Sequence, residues 1–481
     1  MHSLRPILSS SLTAILLAAL VVLGAAFGCT PSGSEPTASN PGVRVVLITL
    51  DTLRYDATAG EQGASGMPAL AAWSQEAKVF TRHFSATAST QPSHASMLTG
   101  QHPWQHGVDR NGAVLSPEAL TVPEVLKEQG FSTAAAVASF PVAARFGFHQ
   151  GFDVYRDDFS RGSVGDRWVE DAKKNDPDFA APGGFYNLAD VITERALDIL
   201  DKTEGHQQFF WFHYFDPHSP YGNTAAVDGD GPAETMSPRP ILEAAAAGED
   251  PWPEVRRAQG LYSRDVSFLD RQLDRLLQRL LEDEDRFKTH VIITADHGES
   301  FGEDNSLAHG RRVTPAQIHT PLMIRSSLAE PGVVDHVAGS VDVGETLLVL
   351  ADAQAPRNQG RNLLATPQRP PRAYGMRRLY DPPYADRRLD GTTVEISGPL
   401  FYMVDRDGKL YRGTEEELLP SVSGTDVHLA SAEDVPPALQ EPLRKLFRTF
   451  EQELEGALQS ENLDQLDEES RAALRALGYT Q

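Results

Sequence analysis

Residues 43–50 read Val-Arg-Val-Val-Leu-Ile-Thr-Leu, a nearly unbroken apolar and β-branched run that stops at Asp51. A strand with one wet face would alternate polar and apolar positions, so this run predicts a strand buried on both faces of a sheet. Similar runs at 133–138, 209–214, 290–294 and 321–324 predict four more strands. Between them the period changes. Val266, Leu269, Leu273, Leu276, Leu277 and Leu280 recur at helical spacing and predict a helix over 265–281. Residues 122–129 predict another, closed by Gly130. Strands alternating with helices predict an α/β fold with a mostly parallel sheet flanked by helices. Ligands of such sheets sit beyond the carboxyl ends of the strands. Asp51, Asp216 and Asp296 each stand just past a strand-like run.

Residues 157–180 and 225–253 are polar, Gly- and Pro-rich insertions, expected to run over the surface and shape the mouth of a site. Residues 357–371 read as a linker. Beyond it, 374–413 predicts a small antiparallel unit with Asp407-Gly408 as a hairpin turn. Amphipathic helices are expected at 439–454 and 468–477. The resulting division is a catalytic domain over 43–356 and a smaller C-terminal α+β unit over 372–481.

The N-terminus has a different character. His2 and Arg5 precede an apolar run over 12–27, too short for a mature membrane span, and small residues lead to Cys29. Cys29 is the only cysteine, so an internal disulfide is impossible. Ala26-Phe27-Gly28-Cys29 resembles a bacterial lipobox, and the Ser-, Pro- and Gly-rich stretch after it reads as a tether to residue 42. The expectation is a signal peptide over 1–29 and an exported bacterial lipoprotein. It would be anchored by lipidated Cys29 on the periplasmic or outer surface. Cleaved secretion and an uncleaved anchor are the alternatives.

With 43 Lys and Arg against 67 Asp and Glu, the net charge is −24. Such a chain repels nucleic-acid phosphates, so no nucleic-acid partner is expected. An anionic substrate would need local positive charge, and a divalent cation is the simplest source. Asp51, Asp296 and His297 are hard or borderline ligands for one.

The window Thr90-Gln91-Pro92-Ser93-His94-Ala95-Ser96-Met97-Leu98-Thr99-Gly100 resembles the nucleophile motif of the sulfatase family. That motif is Cys or Ser, any residue, Pro-Ser-Arg, three variable residues, then Leu-Thr-Gly. Leu50 to Asp56, Gly151-Phe152-Asp153, His213 to Tyr221 and Ala295-Asp296-His297-Gly298-Glu299 follow the order of the wider alkaline phosphatase superfamily. The resemblance implies an alkaline-phosphatase-like sheet and an anionic ester substrate. It also implies a metal held by Asp51, Asp296 and His297, with Thr90 as metal-bound nucleophile. Ser89, Thr87 and Ser93 are rival hydroxyls, and only the alignment singles out Thr90. His218 corresponds to a histidine that contacts the transferred anion. His309, twelve positions after His297, resembles a substrate- or metal-binding histidine of phosphoethanolamine transferases. Asp216 and His94 are candidates for a second metal or an anion contact. Glu299 could orient His297 or be a solvated loop residue. His213 reads as a core residue or one standing behind the site, and His102, His106 and His149 read as structural.

The departures bear on the chemistry. Thr90 replaces the residue oxidised to formylglycine, and His94 replaces the motif arginine. Thr52 stands where calcium sulfatases have a second carboxylate, and His297 where they have asparagine. Residues 138–142 lack the Lys-x-His anion clamp. Nitrogen in place of oxygen favours Zn or Mn over Ca. A lone hydroxyl cannot expel sulfate by collapse of an aldehyde hydrate, which favours phosphoryl chemistry. The expected function is a metal-dependent sulfuric or phosphoric ester hydrolase. The alternatives are a phosphoryl transferase and an idle anion-binding lipoprotein.

Overall fold

The computed structural model describes residues 41–59, 66–159, 184–224, 234–356, 358–380, 382–426 and 432–457. The signal and tether readings, Cys29, most of 157–180 and the helix expected at 468–477 lie outside the described residues.

The strands of the main sheet are β1 (Gly42–Leu50), β2 (Lys78–Phe84), β3 (Ser132–Val137), β4 (Val154–Arg156), β5 (Gln207–Tyr214) and β6 (Phe287–Ala295). A small ribbon, β7 (Ser300–Phe301) with β8 (Leu307–Ala308), lies outside it. The main sheet then adds β9 (His319–Arg325), β10 (Gly332–Val334) and β11 (Ala338–Gly339). Its order is β10-β2-β9-β6-β1-β5-β3-β4, with β11 also paired to β2, nine strands in all. Every pairing is parallel except those of β9, which runs against both β6 and β2. All five expected strands are present. β2 was not anticipated. Its sequence, Lys-Val-Phe-Thr-Arg-His-Phe, mixes charge with apolar residues because its outer stretch is only half-buried.

The centre of the sheet is dry. Val45 to Ile48, Phe209 to Phe212 and Ile292 are buried to 0–1% exposure, as strands covered on both faces require. Arg44 is the exception on β1. It is 1% exposed because Asp283 and Gln208 take its guanidinium at 2.8 and 2.9 Å.

The predicted 265–281 helix is the second half of a longer one, Trp252–Glu282, which buries Val255, Leu261, Leu269, Leu276 and Leu280 along one face. Its Asp270 accepts the backbone N–H groups of Ala69 and Leu70 at 2.9 Å each. A neighbouring carboxylate thus caps the Pro68–Ser74 helix, whose own sequence lacks a cap. Within the insertion expected to wander over 225–253, residues 238–246 instead form a helix that buries Ile241, Leu242 and Ala245. Pro238 at its start and the apolar spacing were masked by the surrounding Gly and Pro residues.

The C-terminal part carries an antiparallel sheet ordered β12 (Ala373–Arg377), β15 (Leu400–Val404), β16 (Lys409–Gly413), β17 (Leu418–Ser423). β13 (Tyr384–Arg387) and β14 (Thr393–Ile396) form a separate hairpin. The 405–408 turn between β15 and β16 closes through Gly408 N to Asp405 O at 2.9 Å, with Gly408 at φ 79°. The Pro437–Ala457 helix packs Phe447 and Phe450 against Trp104 and Phe401. The described residues from Pro41 onward form one compact unit. The expected 357–371 linker is irregular chain pinned by Arg361, which pairs with Asp342 at 2.5 Å.

Candidate active site

Register brings the first two carboxylates together. Leu50 of β1 lies opposite Ala295 of β6, so Asp51 and Asp296 leave adjacent parallel strands side by side. Neighbouring strands are about 4.8 Å apart, close enough for two carboxylates to share one ion. Asp51, Asp296 and His297 each offer a ligand atom, and these atoms all lie within 4.8 Å of one another. All three residues are fully buried.

The unused atoms define the site. Asp296 Oδ1 accepts the backbone N–H groups of His297 at 2.7 Å and Thr52 at 3.2 Å. Thr52 reaches it from a left-handed backbone, φ 57°, rare for a β-branched residue and typical of strained functional positions. Asp296 Oδ2 has no hydrogen bond, and neither oxygen of Asp51 has one. His297 Nδ1 donates to Gly298 O at 3.0 Å, which leaves Nε2 unprotonated and aimed at Asp51 and Asp296. Gly298 has no room for a side chain, because a Cβ would meet Ala316 O.

Electrostatics agree with this count. Burial first, then the charges of Asp296 and Glu299, push Asp51 well above the usual carboxylate range. Burial pushes Asp296 up to about 6, with His94 acting against it. Burial also raises Glu299 and lowers His297 to about 3. Two buried carboxylates that pair with no arginine or lysine among the described residues, plus a neutral imidazole lone pair, are a donor set that fits a divalent ion.

Thr90 opens the Thr90–Thr99 helix, which ends at Gly100 in the left-handed region at φ 63°. The helix start is fixed against β6. Ser93 Oγ donates to Asp296 O at 2.6 Å and meets Ser85 Oγ at 2.7 Å. Asn111 Oδ1 accepts Gln91 N at 2.8 Å. Thr87 Oγ1 is occupied by Ser89. Two rival hydroxyls are therefore engaged in the scaffold. Thr90 Oγ1 is buried without a hydrogen bond of ordinary geometry, and its hydroxyl, turned towards Asp51, opposes the rise of that carboxylate's pKa.

His218 and His309 stand beside this cluster. Their rings are 5.0 Å apart, and His309 lies 4.4 Å from the ring of His297. His218 stacks on Phe215 and donates Nδ1–H to Ser219 O at 2.6 Å. His309 Nδ1 meets Glu299 Oε1 at 3.1 Å, and Tyr221 OH donates to Glu299 Oε2 at 3.0 Å. Glu299 therefore orients His309, not His297, and it is fully buried, not solvated. Burial lowers both histidines to about 3, so each is neutral with Nε2 as its acceptor.

Two expected contacts are absent. Asp216 turns to the backbone of Ala189 and towards Asp265, and burial holds its pKa high. It stays outside the cluster of Asp51, Asp296 and His297. Both nitrogens of His94 are engaged within the protein, on Thr90 O at 2.8 Å and Thr49 Oγ1 at 3.0 Å, leaving neither for an anion or second metal. His213, read as a core residue or one standing behind the site, faces Asp51 Oδ2 at 3.5 Å. Its Nδ1 accepts Ala138 N–H, so the proton sits on Nε2, turned towards the carboxylate. Its place one residue before the strand end was the available signal.

The sulfatase family model matches residues 44–353. The chain belongs to the sulfatase family. It is 28% identical over 217 residues to an uncharacterized sulfatase of Escherichia coli, covering 41% of this chain and 42% of that protein. It is 24% identical over 356 residues to human iduronate 2-sulfatase, covering 63% and 64%. The chain thus spans less than two thirds of either relative. A phosphonate monoester hydrolase from Silicibacter pomeroyi shares the fold, with TM-score 0.61, 22% identity, and coverage of 85% and 94%. Against the family motifs, this chain carries Thr90, His94, Thr52 and His297 where other residues are expected.

Proposed function

We propose that this sulfatase-family chain is a metal-dependent ester hydrolase in which Thr90 is the nucleophile, with phosphoric esters preferred over sulfuric esters. One observation carries this reading. The buried hydroxyl of Thr90, without a hydrogen bond of ordinary geometry, is turned towards Asp51, whose ligand atom converges with those of Asp296 and His297 within 4.8 Å. Asp51, Asp296 and His297 would hold the ion. When bound, it supplies the positive charge that the buried carboxylates lack and lowers the pKa of a hydroxyl brought to it. The nitrogen ligand His297 and the absence of a second carboxylate at Thr52 favour Zn or Mn over Ca.

Thr90 Oγ attacks phosphorus in line, forming an O–P bond as the bond to the departing alkoxide breaks, and the proton given up by the hydroxyl leaves on that oxygen as the alcohol. The phosphorylated Thr90 is then attacked by water. His309 Nε2 accepts the water proton, and Glu299 behind it stabilises the imidazolium. The O–P bond to Thr90 breaks, releasing phosphate, and the proton held by His309 passes to the Thr90 oxygen to restore the hydroxyl. His218 contacts the transferred group from the other side. A sulfated Thr90 would need the same second attack, because a single hydroxyl offers no internal route to expel sulfate. The proposal extends to export and a lipid on Cys29, supported by the sequence of residues 12–29 alone. Among the described residues no helix is long and apolar enough to cross a membrane.

The test is metal analysis of the purified protein beside parallel turnover of an aryl sulfate, an aryl phosphate and a phosphodiester. Stoichiometric Zn or Mn and faster phosphate-ester turnover are expected. Efficient sulfate hydrolysis with weak phosphate turnover would overturn the phosphoryl preference, and activity without bound metal would overturn the mechanism.

A further inference from the structure

His297 and His309 are twelve positions apart, and the small β7–β8 ribbon brings them together. Ser300 lies opposite Ala308, and Phe301 opposite Leu307. His309 follows β8 directly, and its ring centre is 4.4 Å from that of His297. An isolated two-stranded ribbon is marginal even at greater length. Ala308 strains it further, because its φ of 71° is in the left-handed region that a side chain disfavours. Such a conformation persists only where the surroundings hold it.

Gln317 supplies that hold. It is fully buried in the short helix Pro315–Ile318, which runs straight into β9 of the main sheet. Its Nε2 donates to Ser300 Oγ at 2.9 Å and to Ala308 O at 3.2 Å, one partner on each strand of the ribbon. A carbonyl only accepts, so Ala308 O settles which way the amide points. The backbone carbonyl of Gln317 accepts Gly298 N–H at 2.8 Å, next to His297. One residue thus grips both histidine-bearing segments, the first through its main chain and the second through its side chain. Glu299, at 3.1 Å from His309 Nδ1, orients the ring, while Gln317 fixes the backbone that carries it.

We infer that Gln317 is a positioning residue for hydrolysis of the phosphorylated Thr90, its amide setting where His309 stands against the attacking water. This rests on the Thr90 mechanism proposed above. In that step the water oxygen forms a bond to phosphorus, the Thr90 O–P bond breaks, and the water proton passes through His309 Nε2 to the Thr90 oxygen. Every substitution at position 317 except proline keeps the backbone carbonyl that holds Gly298. The loss therefore falls on the His309 side of the pocket, and formation of the intermediate is largely spared.

The test is rapid-quench kinetics of the metal-loaded full-length protein with 4-nitrophenyl phosphate. Mass spectrometry reads formation and decay of phospho-Thr90 separately. Gln317→Met, which keeps the volume and removes the donor, should slow decay by about tenfold or more and formation by less than about threefold. Ala308→Gly, which relaxes the disfavoured φ and frees the chain before His309, should show the same split at smaller size. It decides the matter should thermal melts show the methionine variant unfolded. In a His309→Gln background, Gln317→Met should slow decay by less than about a further twofold, because the amide acts through that ring. Equal slowing of both steps, decay within about twofold of native in the folded variants, or a full further loss in the His309→Gln background overturns the inference and leaves Gln317 a scaffold residue. Absence of phospho-Thr90 from the native protein and from every variant overturns the Thr90 mechanism itself, and the inference with it.

Discussion

His94 donates its Nδ1–H to the carbonyl of Thr90 at 2.8 Å. A carbonyl only accepts, so this contact fixes the tautomer and leaves Nε2 as an acceptor for Thr49 Oγ1 at 3.0 Å. Thr49 in turn accepts Trp211 Nε1–H at 2.9 Å. Two central strands thus hold Thr90, the proposed nucleophile, through one imidazole, where the family motif has arginine. His94 Nδ1 also lies 3.7 Å from Asp296 Oδ2, so the ring steadies a metal-facing carboxylate too. His94→Leu should lower kcat by roughly 10–100-fold while metal is retained, as expected for a group acting behind the ligands. His94→Asn, which can still donate, should recover part of the loss. Steady-state kinetics with metal analysis reads this, and a kcat within about twofold of native for His94→Leu would remove the positioning role.

Thr90→Ala should reduce turnover by roughly a thousandfold or more, because no other hydroxyl replaces it. Ser93 and Thr87 are held in scaffold hydrogen bonds. Metal affinity should fall yet stay measurable, since Asp51, Asp296 and His297 remain. Thr90→Ser should keep much of the activity, and phosphate incorporation into native protein quenched during turnover should map to Thr90. Labelling of Ser93 or Ser89 instead would reassign the nucleophile.

Cys29→Ala should move the protein from the membrane fraction into the soluble extract, because the lipid that replaces the signal run would be missing. Fractionation with mass spectrometry of the N-terminus checks both halves. Unchanged partition with residues 1–28 still attached would mean an uncleaved anchor.

Acid should destabilise the fold through buried neutral histidines. His106 Nδ1 accepts Val108 N–H at 3.1 Å, so its Nε2–H donates to Ser96 Oγ at 3.0 Å. Burial lowers its pKa to about 3, from 6.5 in an open chain. The unfolded chain therefore binds more protons between these values, and stability present above pH 6.5 is lost as pH falls towards 3. From pH 7 to 5 the loss is on the order of 2 kcal/mol for such a group. Urea unfolding of native protein and His106→Gln at both pH values reads it. The variant should be less stable at pH 7 and less sensitive to acid. Equal pH dependence would show that His106 does not contribute.

The sequence by itself determined the strands of the sheet centre and the residues that end them. A strand covered on both faces must be apolar at every position, and Asp51, Asp216 and Asp296 mark where each run meets the rim. It also determined the helix through Leu269 and Leu276, whose spacing is a property of one segment. β2 escaped because half-burial leaves no clean period. Only the tertiary structure decided that Leu50 faces Ala295, and hence that Asp51 and Asp296 converge while Asp216 turns to Ala189. The same holds for Glu299 and His309, for His94 between Thr49 and Thr90, and for Gln317 between Ser300 and Ala308. Periodicity records how much water each side chain of a segment meets. Which distant segments become neighbours is set by register and packing between pairs of elements, and a single run of residues carries no trace of its partner.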